Sequence, residues 1–436
     1  MYKVAIYDTT LRDGAQTEGI SYSVNDKILI AKKLDALGID FIEGGWPGAN
    51  PKDMEFFTKI KKIRFKKAKL VAFGSTRRKN KKPEQDLILK GLVDAGAEYV
   101  TIFGKTWDLH VRDVLKASLD ENLRMIDDTI KYLKSKGLRV FFDAEHFFDG
   151  YKSNPDYALK TILKAEQAGA EAIILCDTNG GTITSKLSEI VRVARQQVGV
   201  NLGIHVHNDA CMAVANTIAA VQAGCRHVQG TVNGYGERCG NADICAVIAC
   251  LKLKLGINCI SNAGLRDITE ASHYISEVSN MKQQDNQPFT GVSAFAHKAG
   301  VHINAMLKNS LTYEHINPEL IGNQRRFLNS ELSGATGIMS KVKEFSYNLT
   351  KDDPATKNLH KLVQKLEYEG FQFEAAEASF ELLIKRTLKK YKKFFELQGF
   401  RVIVERQKDN RLISEATVKL KVNNILEYTV SEGDGP

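Results

Sequence analysis

Four side chains in this chain could together hold a divalent metal: Asp13, His205, His207 and Asn241. Asp13 sits in Asp8-Thr9-Thr10-Leu11-Arg12-Asp13-Gly14. The imidazoles come from His205-Val206-His207, and the amide ends Gly234-Tyr235-Gly236-Glu237-Arg238-Cys239-Gly240-Asn241. One carboxylate, two imidazoles and one amide form a mixed nitrogen and oxygen donor set that leaves positions open for a substrate. The set suits Mn²⁺, Mg²⁺, Zn²⁺ or Co²⁺, and spacing does not choose among them. Arg12 adjoins Asp13, so an oxyanion developing beside the metal would meet a guanidinium. Glu43 could orient that guanidinium, and a purely structural ion pair would look the same. Thr178 and Asn179 could hydrogen-bond a substrate carboxylate, or simply form a turn. Gln16, Glu145 and His146 are weaker candidates for the same site.

These residues lie far apart in the chain, so a fold must gather them. Eight short apolar runs recur: Val4–Tyr7, Phe41–Gly44, Leu70–Phe73, Tyr99–Phe103, Arg139–Phe142, Ala172–Leu175, Leu202–Val206 and His227–Gly230. Helical spacing fills the intervals, as in Asp26–Leu34, Leu87–Ala95, Ala158–Ala168 and Ala213–Ala223, with Gly38, Gly96, Gly169 and Gly224 placed as C-terminal caps. Strand–helix alternation implies a parallel sheet, and eight units in about 250 residues match a (β/α)8 TIM barrel. A doubly wound sheet is the runner-up, and no GxGxxG follows the first run to support it.

A barrel carries its active site at the C-terminal ends of its strands. Asp8–Asp13, Glu43–Gly48, Glu145 and His146, Asp177–Gly180, His205 and His207, and Asn233–Asn241 all follow or end predicted strands, so one face collects them. Runs one, seven and eight are neighbours in a closed barrel, which brings Asp13, the two histidines and Asn241 together.

The rhythm stops near Cys259. Asp285–Pro288 reads as a loop, His297 and His302 lie in a loop or short helix, and Tyr313 lies within Thr312–Gly322. Leu359–Tyr391 reads as helical. Phe400–Glu405, Ser414–Val422 and Ile425–Val430 read as antiparallel strands, with a loop at Glu432–Pro436. Three strands without a covering element make a poor domain, so the chain is expected to stop inside its last one.

The net charge of +9 is spread over many lysines. Lys59–Lys69 and Arg77–Lys82 are dense but lack interleaved aromatics, so they read as solvated surface rather than a nucleic-acid face. A field steering a phosphorylated cofactor is the lesser reading. Seven cysteines without a CxxC pair, among them Cys239, Cys245, Cys250 and Cys259 near apolar stretches, suggest buried reduced thiols and a cytoplasmic location. No signal peptide and no membrane span are expected.

The segment Asp8–Gln16, with Glu43, His205-Val206-His207 and Gly236–Asn241, resembles the DRE-TIM metallolyase superfamily. Glu43–Asp53, Asp177–Gly181, His297–His302 and Ser414–Val418 resemble its 2-isopropylmalate, homocitrate and citramalate synthase family, on the citramalate side. The resemblance implies a Claisen-type condensation in isoleucine biosynthesis, with acetyl-CoA as co-substrate and pyruvate as acceptor. It implies Asp13, His205, His207 and Asn241 as metal ligands, Arg12 facing the ketone oxygen, and Thr178 and Gln16 binding substrate. Glu43 would orient Arg12, and Glu237 would assist. His302 and Tyr313 would activate acetyl-CoA, in trans across a homodimer. It implies a catalytic barrel over 1–275, linker subdomains completing the site over 276–379, and the truncated first part of an isoleucine-sensing regulatory domain over 380–436. A sister synthase using a larger 2-oxo acid, an acyl-CoA lyase or aldolase, and a metal-bound sensor remain as alternatives.

Overall fold

The computed structural model describes residues 2–328, 342, 345, 347, 349–350, 352–373 and 376–433. The chain forms two compact units: Met1–Ala296 with Tyr313–Arg326, and His297–Thr312 with Phe327–Pro436. The stretch 276–379 is thus shared between them.

The first unit is a closed barrel of eight parallel strands in sequential order. They are β1 (Ala5–Asp8), β2 (Phe41–Gly45), β3 (Lys69–Ser75), β4 (Tyr99–Lys105), β5 (Arg139–Glu145), β6 (Ala172–Asp177), β7 (Asn201–Val206) and β8 (His227–Gly230). All eight predicted runs are strands, and β8 pairs back onto β1. The capping glycines act as expected: Gly38, Gly96 and Gly169 all take left-handed conformations at helix ends. At the other end of the helix Val24–Leu37, Ser23 and Asp26 form a capping box.

Side chains alternate along each strand, and the two faces have different fates. Ile6, Ile42, Ala72, Val100, Val140, Ile173, Leu202 and Val228 point outward into one core with the surrounding helices. Tyr7, Val71, Tyr99, Phe141, Ala172, Ile174 and Cys176 point inward and form a separate core. His227 joins that inner layer, with ring centroids 5.1 Å from Tyr7, 5.3 Å from Phe141 and 5.8 Å from Phe41. Two residues further up four of the strands, the inward position changes character: Phe41 gives way to Glu43, Phe141 to Asp143, Gly203 to His205 and His227 to Gln229. The floor is hydrophobic and the next tier is polar.

Burial drives the His227 imidazole down to about 4, against a weak pull from Asp40. A histidine held neutral favours folding above its unfolded value, and that contribution is lost as pH falls from about 6.5 toward 4. The shift corresponds to about 3 kcal/mol. His227→Phe keeps an aromatic ring in the layer and removes the titration. Its melting temperature should fall less than that of the parent between pH 7 and pH 4.5, and parallel profiles would show that His227 is not a source of acid sensitivity.

Two surface expectations need correction. Arg77 is not solvated: it is buried, 2.9 Å from Glu121 Oε1 and 2.7 Å from Asp128 Oδ2. Cys239 is exposed, as is Cys211, because both lie on loops above the barrel, while Cys245 and Cys259 are buried. All seven cysteines are free.

In the second unit, helix Gly300–Lys308 buries Ile303 and Met306. The expected helix Leu359–Tyr391 is two helices, Pro354–Tyr368 and Glu377–Thr387. Gly370 breaks the run with φ +96°. Leu359, Val363, Phe373, Phe380 and Ile384 pack into one small core. The strands Glu396–Arg406, Leu412–Val422 and Ile425–Gly433 form the expected antiparallel sheet. Asn423 and Asn424 both take positive φ in the two-residue turn between the last two, the geometry that matches strand twist. Glu432 and Gly433 extend the last strand rather than opening a loop, because both pair with the central strand. Residues 434–436 lie outside the described residues.

Candidate active site

The three loops that carry the predicted ligands are fixed by backbone geometry. After β1, the chain turns through Arg12 N and Gly14 N, both donating to Thr9 O, which swings Asp13 over the barrel axis. After β7, His207 bridges to Asn241. Asn241 N donates to Gly234 O and Ala242 N donates to Val206 O, so the β8 loop folds back onto β7. Gly236 and Gly240 permit this: both have positive φ, and a Cβ on Gly236 would stand 2.0 Å from Asn241 Oδ1.

Asp13, His205 and His207 converge, with one ligand atom from each within 4.8 Å of the others. Asp13 Oδ2 lies 3.2 Å from His205 Nε2 and 3.9 Å from His207 Nε2, and the two Nε2 atoms are 3.4 Å apart. The Asn241 amide nitrogen lies 2.8 Å from Asp13 Oδ2 and 3.2 Å from His205 Nε2. Its Oδ1 is buried without a hydrogen-bond partner, as is His207 Nδ1. This donor set fits a divalent ion: two imidazole nitrogens and a carboxylate already face one point, and the adjoining Asn241 amide has an oxygen without a hydrogen-bond partner among the described residues. Burial pushes the Asp13 carboxyl up, but Arg12 and the two imidazoles outweigh it and hold it well below the usual carboxylate range. Burial and the neighbouring His205 push His207 down to about 4, so its imidazole is neutral, as ligation requires.

Arg12 Nε donates to Glu43 Oε1 at 2.6 Å, and its guanidinium lies 3.8 Å above the Phe73 ring. Tyr7, in the layer below, donates to the other Glu43 oxygen at 2.5 Å. Glu43 is fully buried and orients Arg12 while keeping one face of the guanidinium toward the cavity. Arg12 Nη1 stands 3.7 Å from Asp13 Oδ2.

A cavity of about 200 Å³ opens over the cluster, lined by Arg12, Asp13, Gln16, Trp46, Phe73, Phe103, Asp143, Glu145, Cys176, Thr178, His205, His207 and Glu237. Glu43 and Asn241 stand directly behind these. Thr178 Oγ1 accepts from His146 N at 3.0 Å, which leaves its O–H to donate. Asn179 does not line the cavity; its amide donates to Asp149. His146 takes φ +56° and is not among the lining residues; its backbone N–H donates to Thr178. Trp46 meets Phe73 and Phe103 edge-on at 5.7 and 5.6 Å, making one aromatic wall. Tyr313 belongs to the first unit, is partly exposed, and is not among the lining residues. His302 lies on helix Gly300–Lys308 in the second unit.

Two polar residues of the inner tier were not anticipated. Asp143 lines the cavity, and burial with the nearby Glu43 raises its carboxyl to about 7. Gln229 is fully buried between Asp143 and His205. The available signal was strand parity: each lies two residues beyond an aromatic residue of the floor.

Residues 3–275 match the HMGL-like family, and residues 289–369 match the homocitrate synthase post-HMGL domain-like family. The chain is 52% identical over 437 residues to an (R)-citramalate synthase of Geobacter sulfurreducens, covering all of this chain and 83% of that protein. It is 53% identical over 436 residues to an (R)-citramalate synthase of Aquifex aeolicus, with the same coverage of each. A 2-isopropylmalate synthase of Methanocaldococcus jannaschii is further off, 33% identical over 440 residues, covering all of this chain and 81% of that protein. The family match over the barrel and the identity shared with these relatives along the whole chain place it in the HMGL-like family and, within it, among the (R)-citramalate synthases.

Proposed function

We propose that the chain catalyses a divalent-metal-dependent condensation of acetyl-CoA with pyruvate, giving (R)-citramalate and free CoA. The observation that carries this is the Asp13–His205–His207 cluster beside the Glu43-anchored Arg12. A divalent ion held by these three, with the Asn241 oxygen as a fourth donor, would supply a Lewis acid and a template for a 2-oxo acid.

The chain's own residues do the rest. The Thr178 hydroxyl, its lone pair engaged by His146 N, donates to the pyruvate carboxylate, with Gln16 alongside. The apolar Trp46, Phe73 and Phe103 wall would face the methyl group of pyruvate. A second cavity of about 380 Å³ shares Arg12, Gln16 and Trp46 with the first and gives space to a second reactant. A base takes a proton from the acetyl methyl group, a role given to His302 with Tyr313 and Glu237 assisting. Such a base contributes about 10²–10⁴-fold. The resulting carbon nucleophile bonds to the ketone carbon, and the charge arriving on the ketone oxygen meets Arg12. Water then cleaves the thioester, and CoA leaves as the thiol.

The same reading assigns 276–379 to the linker and 380–436 to the first part of a regulatory domain sensing isoleucine, in a cytoplasmic homodimer serving isoleucine biosynthesis. Among the described residues, no helix is long and apolar enough to cross a membrane. The test is CoA release, read with a thiol reagent, from metal-loaded protein given acetyl-CoA and pyruvate, 2-oxobutyrate, 2-oxoisovalerate or 2-oxoglutarate. Pyruvate should be strongly preferred. Preference for 2-oxoisovalerate or 2-oxoglutarate would overturn the substrate and keep the chemistry, and release with none would overturn both.

A further inference from the structure

A metal-binding imidazole must present a bare nitrogen, and which nitrogen is bare depends on where the ring's single proton sits. At His205 the structure answers this through two groups outside the donor cluster. His205 Nδ1 lies 2.8 Å from Gln229 Oε1, and Gln229 Nε2 lies 3.0 Å from Asp143 Oδ1. All three side chains are buried. The Gln229 amide N–H donates to the Asp143 oxygen, and this turns the amide oxygen toward His205. That oxygen can only accept, so the ring proton is held on Nδ1. Nε2 is the atom that faces Asp13 and His207, and with Nδ1 occupied it is the nitrogen left to a bound ion.

We propose that Gln229, anchored by Asp143, is a positioning residue that locks His205 in the Nδ1–H tautomer and aims its Nε2 at the metal. The inference rests on the ligand assignment of the proposed function and adds a residue pair to it. Among the described residues His207 has no such partner, its Nδ1 being unpaired. The two imidazoles are therefore unequal: His205 is preset, while His207 is oriented by the ion itself. Gln229 lies on β8, the strand between the metal-bearing loops of β7 and β1, so its register sets the ligand from beneath.

The experiment is calorimetric titration of Mn²⁺ and Co²⁺ into the metal-stripped full chain, in the parent, Gln229→Met and Gln229→Glu. Methionine keeps the volume and removes the acceptor. Glutamate restores an oxygen facing His205. Partners of ligating histidines are typically worth 10–100-fold in metal affinity. The expected result is a loss of about that size in Gln229→Met, recovery of most of it in Gln229→Glu, and an altered Co²⁺ absorption band in the methionine variant. ¹⁵N-detected histidine spectra of the metal-free protein should show His205 Nδ1 protonated in the parent and partly bare in Gln229→Met. Unchanged affinity and an unchanged tautomer in Gln229→Met would overturn the proposal while the ligand assignment stands. A melting temperature that drops with affinity unaltered would also overturn it, reducing Gln229 to a structural role. A parent chain that binds neither ion would overturn the ligand assignment and this inference together.

Discussion

Arg12→Lys is expected to lower turnover by about 10²–10³-fold, the scale of losing one aimed donor at a developing oxyanion. Arg12 performs three tasks at once. Its Nε holds Glu43 at 2.6 Å, its plane lies on Phe73, and Nη1 remains near Asp13 at the cavity wall. An ammonium is a point charge without a fork. A lysine that reached Glu43 would abandon the cavity, and one that faced the cavity would leave Glu43 buried without its cation. The effect should fall on kcat more than on the pyruvate KM, because charge reaches the ketone oxygen only as the bond forms. Steady-state kinetics with a parallel melting curve reads this. Turnover within a few-fold of the parent would make Arg12 a structural residue.

His207→Ala should remove metal-dependent turnover to the detection limit and weaken divalent-ion binding by more than the Gln229 variant does. Two donors would remain of the Asp13–His205–His207 triad. The unfilled side of the ion would be taken by water, and the acceptor would lose its template. The metal-free fold should survive, since His207 lies just past the end of β7 and its Nδ1 has no hydrogen-bond partner. Its imidazole is held neutral by burial, so removing it strips no buried charge. Calorimetry and CoA release, measured on the same sample, separate binding from catalysis. Retained activity would remove His207 from the ligand set.

The barrel was legible because its signals repeat. Eight apolar runs with glycine-capped helices between them leave few alternatives, and closure then brings the ends of β1, β7 and β8 together. Asp13, His205, His207, Arg12 and Thr178 could be placed around one cavity because each ends or follows a strand. Asp143 and Gln229 were missed because each lies inside a strand that reads as core, and only the inward-facing parity separates them from Ala144 and Val228. The break at Gly370 was missed because helical spacing continues on both sides of it, and only the positive φ marks the stop. Cys239 was misjudged because an apolar neighbourhood in sequence says little about a loop held away from the core by Gly236 and Gly240.

The aromatic layer beneath the site has a kinetic meaning as well as a structural one. Tyr7, Tyr99, Phe141 and His227 seal the barrel interior from below. The triad is therefore closed off from that side and lines a cavity on the other. Under the proposed function, the small 2-oxo acid that must reach the triad would enter ahead of the bulky thioester, and CoA would leave before the new hydroxy acid. Product-inhibition kinetics would read that order directly.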